Sequence, residues 1–317
     1  MCCCLSNSLC LAFLTMEMFV YPTVFCIVGF LANCLSLYVA WIQMRNGNNT
    51  AVYFINLSIS ELLYTISMPV WNKLSLWQGP LGGICSFTAV ITHSSFDVCS
   101  GLLCCISVDR FLAVVYPLYF HWVREVRTVV VVSVAVWTLE IFIHIILLDH
   151  TGALQAFFSK DLCEVQIPMT QEDANLALTR VTLGFLVPIF IMTFCFQQIM
   201  QSLRENPSIL TMERRKVGLL LFFLLLTYIV ALIPYQTVML LRAILEPGDC
   251  FWATRLRDPY LVTVTMTTLR SILDPIIYCF ISNRARKEIR KACINNGLYD
   301  IHIINIYTRT IYIFSSF

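Results

Sequence analysis

Repeated apolar runs of about twenty residues restrict this chain more than any other feature. Seven segments carry them: 16–44, 51–78, 85–116, 128–149, 172–200, 215–245 and 259–281. Each is long enough to cross a hydrocarbon core of ~30 Å as a helix rising ~1.5 Å per residue. No water inside such a core can rescue a broken backbone hydrogen bond, so closed helices are the expected structure. Charged residues make up 13% of the chain and the mean hydropathy is +0.76; a soluble domain carries roughly twice that charge. The expected fold class is therefore an all-α membrane protein, a bundle of seven transmembrane helices. Pro69, Pro188, Pro234 and Pro275 fall inside these helices, where neighbouring helices can satisfy the freed carbonyls.

The net charge of +2 says little, but its distribution sets an orientation. Arg45, Arg124, Arg127, Arg204, Arg214, Arg215, Lys216 and the run "NRARKEIRKAC" all fall on one side. The other side holds Lys73, Lys160, Arg255 and Arg257, diluted by acids that include Asp161, Glu164, Glu246 and Asp249. Basic loops stay in the cytoplasm, which puts the N-terminus outside and the C-terminus inside. Residues 1–15 read as a short extracellular N-terminus without a cleavable signal, and 16–281 as the membrane domain. Residues 282–294 read as an amphipathic helix on the anionic inner leaflet, with Cys293 as a lipidation candidate. The tail 295–317 is β-branched and aromatic, without regulatory character. Most of the fifteen cysteines lie in apolar runs, where a thiol behaves as a small hydrophobe.

Charges inside the spans are the candidate working parts. At ~1.5 Å per residue, Glu61 lies about 15 Å into helix 2 and Arg270 about 16 Å past Pro259. Glu140 and Asp97 each lie about 18 Å from the ends of their helices, and Asp274 is one turn beyond Arg270. Depth alone puts four carboxylates and one guanidinium in a single layer. One arginine cannot offset four acids, so some are expected to bind protons near neutral pH. The plainer reading makes Glu61 and Asp274 ordinary core polar residues. Arg270 is either a tethered cation that keeps Asp274 ionised and leaves Glu61 and Glu140 to titrate, or a packing residue that snorkels or pairs with Asp97. His93, His144 and His150 could also titrate. Arg180, about 8 Å down helix 5, and Arg242 near the same mouth suit an anionic headgroup on a lipid chain; alternatively, Arg180 pairs with Asp97 or with a loop acid. No nucleophile–base pair, phosphate loop or metal-ligand spacing stands out, so neither an enzyme nor a cofactor is expected, and no nucleic-acid partner.

Several short motifs fall one to a helix. They are "GFLANCLSL" with Asn33, "NLSISELLY" with Glu61, "SVDRFLAVVYPL" with Asp109 and Arg110, Trp137 in helix 4, Pro188, Pro234, and "DPIIY" with Tyr278. In this order they resemble the rhodopsin-like G protein-coupled receptors over nearly the whole chain. "SELLYTISMPVW", "TRVTLGFLVP" and "LLRAILE" add a likeness to the proton-sensing and lysolipid-responsive receptors. The resemblance implies a plasma-membrane receptor with a heterotrimeric G protein as partner and protons or an anionic lysolipid as agonist, among membrane lipids. It implies that Asp109 restrains Arg110 until activation and that Tyr278 supports the active state. It also implies that Glu61, Glu140 and Asp274 belong to the sensor and that Cys85 pairs with Cys163 in an outer loop. Cys10 and Cys250, both outside, are a possible second pair. Leu232 and Phe196 depart from the common pattern, and Gln236 stands where the proton-sensing group has histidine. Against the receptor stands one rival of another class, a proton-coupled transporter using the same buried acids.

Overall fold

The computed structural model describes residues 8–76, 82–116, 125–150, 168–205 and 212–281. They form seven long helices: α1 (Ser8–Arg45), α2 (Ala51–Leu76), α3 (Gly82–Val115), α4 (Val126–His150), α5 (Gln171–Glu205), α6 (Met212–Leu245) and α7 (Cys250–Ile281). Six of them contain stretches long and apolar enough to span a membrane. α7 is long enough but more polar, because Thr263, Thr265, Thr267, Thr268, Arg270, Ser271 and Asp274 interrupt its apolar surface.

The helices form a ring in which α1 packs on α2, α2 on α3, α3 on α5, α5 on α6, α6 on α7, and α7 back on α1. α4 stands outside the ring against α3 and α2. Buried apolar side chains such as Leu57, Leu102, Ile106, Met192, Leu224 and Tyr228 fill the centre. Large apolar residues such as Phe142, Phe190 and Ile244 point outward, as lipid-facing surfaces require. Polar side chains fasten the ring: Ser58 donates to Ser36 at 2.9 Å, Tyr64 Oη and Thr267 Oγ1 lie 2.8 Å apart, and Trp137 Nε1 donates to Asn56 at 3.2 Å. Asn33 Nδ2 donates to the Ser271 carbonyl at 2.7 Å, joining α1 to α7.

Two short turns depend on glycine. Gly47 after α1 (φ 81°) and Gly248 after α6 (φ 76°) take left-handed conformations that side chains with a Cβ resist. α5 opens on an N-cap, with the Thr170 hydroxyl accepting from Asp173 N–H at 3.1 Å. It is interrupted by a π-helical turn over Thr182–Leu186.

Helix ends differ from those expected. α1 begins at Ser8, within the stretch read as an N-terminal segment, and α7 begins at Cys250 rather than at Pro259. The charged turn of Arg255, Arg257 and Asp258 is helical, and Pro259 is accommodated inside the helix. The expected surface helix 282–294 with Cys293, the tail, and Cys163 lie outside the described residues.

Candidate functional site

The single layer of acids expected from depth divides into two groups, because depth gives height along a helix but not the direction a side chain faces. The first group lies between α2, α3 and α7. Arg270, 1% exposed, places Nε 3.3 Å from Glu61 Oε1, whose side chain is equally buried. The guanidinium donates to Ser100 Oγ at 3.3 Å and to the Phe96 carbonyl at 3.4 Å, and it lies 4.6 Å from the centre of the Phe96 ring. Asp274, one turn after Arg270, accepts from Thr227 Oγ1 of α6 at 2.9 Å. The ion pair therefore joins Arg270 to Glu61 rather than to Asp274, although the Asp274 charge still acts on the arginine. Glu61 and Asp274 line a narrow cleft with Asn33, Ser36, Ser58 and Tyr278. Neither Glu61 oxygen, nor Asp274 Oδ2, is in a well-formed hydrogen bond among the described residues. The Cys99 thiol lies alongside Glu61.

The second group lies between α3, α4 and α5. Asp97 pairs with His144 at 2.9 Å, and Glu140 precedes His144 by one turn on α4. Asp97 thus pairs with neither Arg270 nor Arg180. Arg180 is partly buried, its Nε has no hydrogen-bond partner among the described residues, and its charge reaches His93, Tyr235 and Tyr260. Gln236 is buried in α6, two residues after Pro234.

Arg242 is committed elsewhere. Its Nε and Nη2 donate to Glu246 at 2.6 and 2.9 Å, and its guanidinium lies 4.4 Å from the centre of the Tyr260 ring. Glu246, counted from the sequence among diluting outer acids, is fully buried and also accepts from Met169 N–H at 3.1 Å. The four-residue spacing of Arg242 and Glu246 was the available signal for that pair. No sequence spacing links His144 to Asp97, or Thr227 to Asp274, since each pair joins different helices.

At the other end of the bundle, Asp109 Oδ2 lies 3.5 Å from Arg110 Nε. Tyr278 is buried and stacks on Phe54, with ring centres 4.0 Å apart. Cys250 is disulfide-bonded, whereas Cys26, Cys34, Cys99, Cys104, Cys105, Cys195 and Cys279 are free. The expected Cys85–Cys163 and Cys10–Cys250 pairings involve side chains outside those described.

Seven packed helices, six of them apolar enough to span a membrane, two buried charge clusters and an acid–arginine pair at one end describe a multi-pass membrane protein. Residues 32–278 match the family described as 7 transmembrane receptor (rhodopsin family), and the chain belongs to that family. Mouse G-protein coupled receptor 68 is 30% identical over 288 residues, covering 88% of this chain and 78% of that relative. Human G-protein coupled receptor 65 is 29% identical over 294 residues, covering 86% of each. Human "Probable G-protein coupled receptor 132" is 30% identical over 284 residues, covering 86% of this chain and 72% of the relative. The chain is accordingly a receptor rather than an enzyme, and membership implies coupling to a G protein. It gives no support to the transporter reading.

Proposed function

We propose that this receptor, with its N-terminus outside the plasma membrane and its C-terminus in the cytoplasm, reports extracellular acidification to a heterotrimeric G protein. One observation carries the reading: Arg270 is the only cation beside two sealed carboxylates, Glu61 and Asp274, among the described residues. A buried site with surplus negative charge gains by binding a proton. If the acids hold protons more tightly in the active conformation, acidification populates that conformation. Arg110, restrained by Asp109 at rest, is then released toward the G protein, with Tyr278 supporting the active arrangement.

Signalling should rise as outer pH falls through about 7, more steeply than for one site because the acids are coupled. Glu140→Gln mimics the protonated acid, so it should raise basal activity and flatten the pH response. G protein activation measured from pH 8 to pH 6 tests this, and an unchanged curve in that variant removes Glu140 from the sensor.

A second reading rests on Arg180. Its Nε is unsatisfied among the described residues, and the surrounding His93, Tyr235 and Tyr260 suit the phosphate or carboxylate of an anionic lysolipid. On this reading Arg180→Ala, at normal surface expression, costs about 2–5 kcal/mol of lysolipid affinity. Equal lysolipid potency in variant and wild type would sink it.

A further inference from the structure

The pair between α3 and α4 is tied to α5 and α6 as well. His144, 4% exposed at its side chain, holds Nε2 2.9 Å from Asp97 Oδ2. The other carboxylate oxygen faces α5, where a Cβ built on Gly184 would lie only 3.0 Å from Asp97 Oδ1. Absence of a side chain at Gly184 is therefore what lets the carboxylate rest on the α5 backbone. Gly184 lies in the π-helical turn, and such interruptions concentrate at working positions. Its carbonyl accepts from Tyr228 Oη of α6 at 3.1 Å. Tyr228 is fully buried and stacks on Phe185 of the same π turn, with centres 5.9 Å apart and planes 9° apart. A continuous line of contact thus runs from α4 through α3 and α5 to α6.

We propose that the Asp97–His144 pair is a second proton-binding site of this receptor, and that its charge state reaches α6 through Gly184 and Tyr228. The inference rests on the acid-sensing reading and names a site and a route within it. With a neutral imidazole, Nε2–H donates to Asp97 and the pair carries one negative charge. A proton taken up from outer water at Nδ1 makes the pair neutral overall and adds a full cation to the contact. The carboxylate is then drawn toward His144, changing its pressure on Gly184. His144 lies about 9 Å from the end of α4.

The groups around the pair come from four helices. His93 on α3, Glu140 on α4, and Tyr228 and Tyr235 on α6 act on the pair directly, while Arg180 on α5 acts on His93 and Cys104 on α3 lies near Glu140. Glu140 adds negative charge when ionised and so favours proton uptake at His144, whereas Arg180 opposes it. Arg270 also acts on Tyr228, so both clusters meet at that tyrosine.

The test uses the full receptor, epitope-tagged and compared at matched surface expression, with G protein activation followed from pH 8 to pH 6. His144→Gln keeps an N–H donor for Asp97 but cannot take the extra proton. Its response should be shallower, reflecting about one fewer proton taken up on activation. Should that variant fail to reach the surface, the double variant Asp97→Asn/His144→Gln, which buries no charge there, should show the same loss of slope. Gly184→Ala alters no titratable group yet should move the midpoint in wild type, and should not do so with Asp97→Asn/His144→Gln. Wild-type slope and midpoint in the His144 variants overturn the site, and an unmoved midpoint in Gly184→Ala overturns the route. A wild-type receptor indifferent to pH overturns the acid-sensing reading as well, which separates the two failures.

Discussion

Two buried arginine–glutamate pairs in this bundle are built on opposite plans. Arg242 in the last turn of α6 and Glu246 just past its end lie four residues apart and make two direct hydrogen bonds; Glu246 also receives the Met169 N–H that precedes α5. Arg270 and Glu61 join α7 to α2 through an offset contact of 3.3 Å, while the guanidinium directs its N–H groups to α3. In the first pair each charge is satisfied, which ties the start of α5, the end of α6 and Tyr260 of α7 together in one arrangement. In the second, Glu61 lacks a well-formed hydrogen bond among the described residues. A half-satisfied polar cluster has something to gain by rearranging, whereas a fully satisfied one does not. The difference separates a fastening from an element able to change state.

The sharpest way to break this contrast is to remove the acid from the first pair and the arginine from the second. Glu246→Gln strands a guanidinium that cannot lose its proton, and should cost about 3–5 kcal/mol of stability. The thermal unfolding midpoint of the detergent-solubilised receptor should fall accordingly, and Arg242→Met combined with Glu246→Met should restore most of it. A single variant as stable as wild type would show that the pair fastens nothing.

Arg270→Asn should be milder, because the stranded group is a carboxylate, which can escape its penalty by binding a proton. The sign follows from proton count: if the stranded carboxylate takes up a proton on folding, lower pH favours the folded variant. Its stability deficit should therefore narrow as pH falls from 8 to 6, whereas that of Glu246→Gln should not. The acids also lose their tethered cation, so signalling should become sensitive to sodium at fixed ionic strength and its pH midpoint should move up. A variant with neither change would make Arg270 a packing residue.

Much of this contrast was hidden in the sequence for a geometric reason. Apolar run length gave the seven helices, since lipid leaves the backbone few alternatives, and rise per residue placed Glu61, Arg270 and Asp274 at one depth. Rise says nothing about azimuth, so depth puts Asp97 and Glu140 in one layer with the other acids, although Asp97 faces α4 and α5 and Glu140 faces Gly101 of α3. Helix α7 was shortened because Arg255, Arg257 and Asp258 look like a loop and Pro259 like a helix start. Glu246 looked solvated for the same reason: a charge just beyond an apolar run reads as a loop residue unless its partner is known. The glycine notch at Gly184 and the π turn around it left no sequence signal that distinguishes them from ordinary helix.

The smallest effect sharpens the comparison at a single hydroxyl. Thr227 has one proton but faces two acceptors, its own helix at the Leu224 carbonyl (3.0 Å) and Asp274 Oδ1 (2.9 Å). When Asp274 is ionised, the hydroxyl is best used as a donor to the carboxylate. When Asp274 is protonated, the acid can donate to Thr227, and Thr227 can donate to Leu224. Hydrogen bonds to a charged group are worth about 1.5–3 kcal/mol against about 0.5–1.5 for neutral ones. Thr227→Val, which keeps the shape and removes the hydroxyl, thus penalises the ionised form more than the neutral one. The difference is on the order of 1 kcal/mol, which raises the midpoint of the pH response by somewhat under about one unit. Thr227→Ser, which restores the hydroxyl, should leave the midpoint at its wild-type value. Both are read from pH-dependent G protein activation at matched surface expression. A downward shift in Thr227→Val, or equal shifts in both variants, would mean that Asp274 does not exchange protons in the signalling range, leaving Glu61 to carry the response of that cluster.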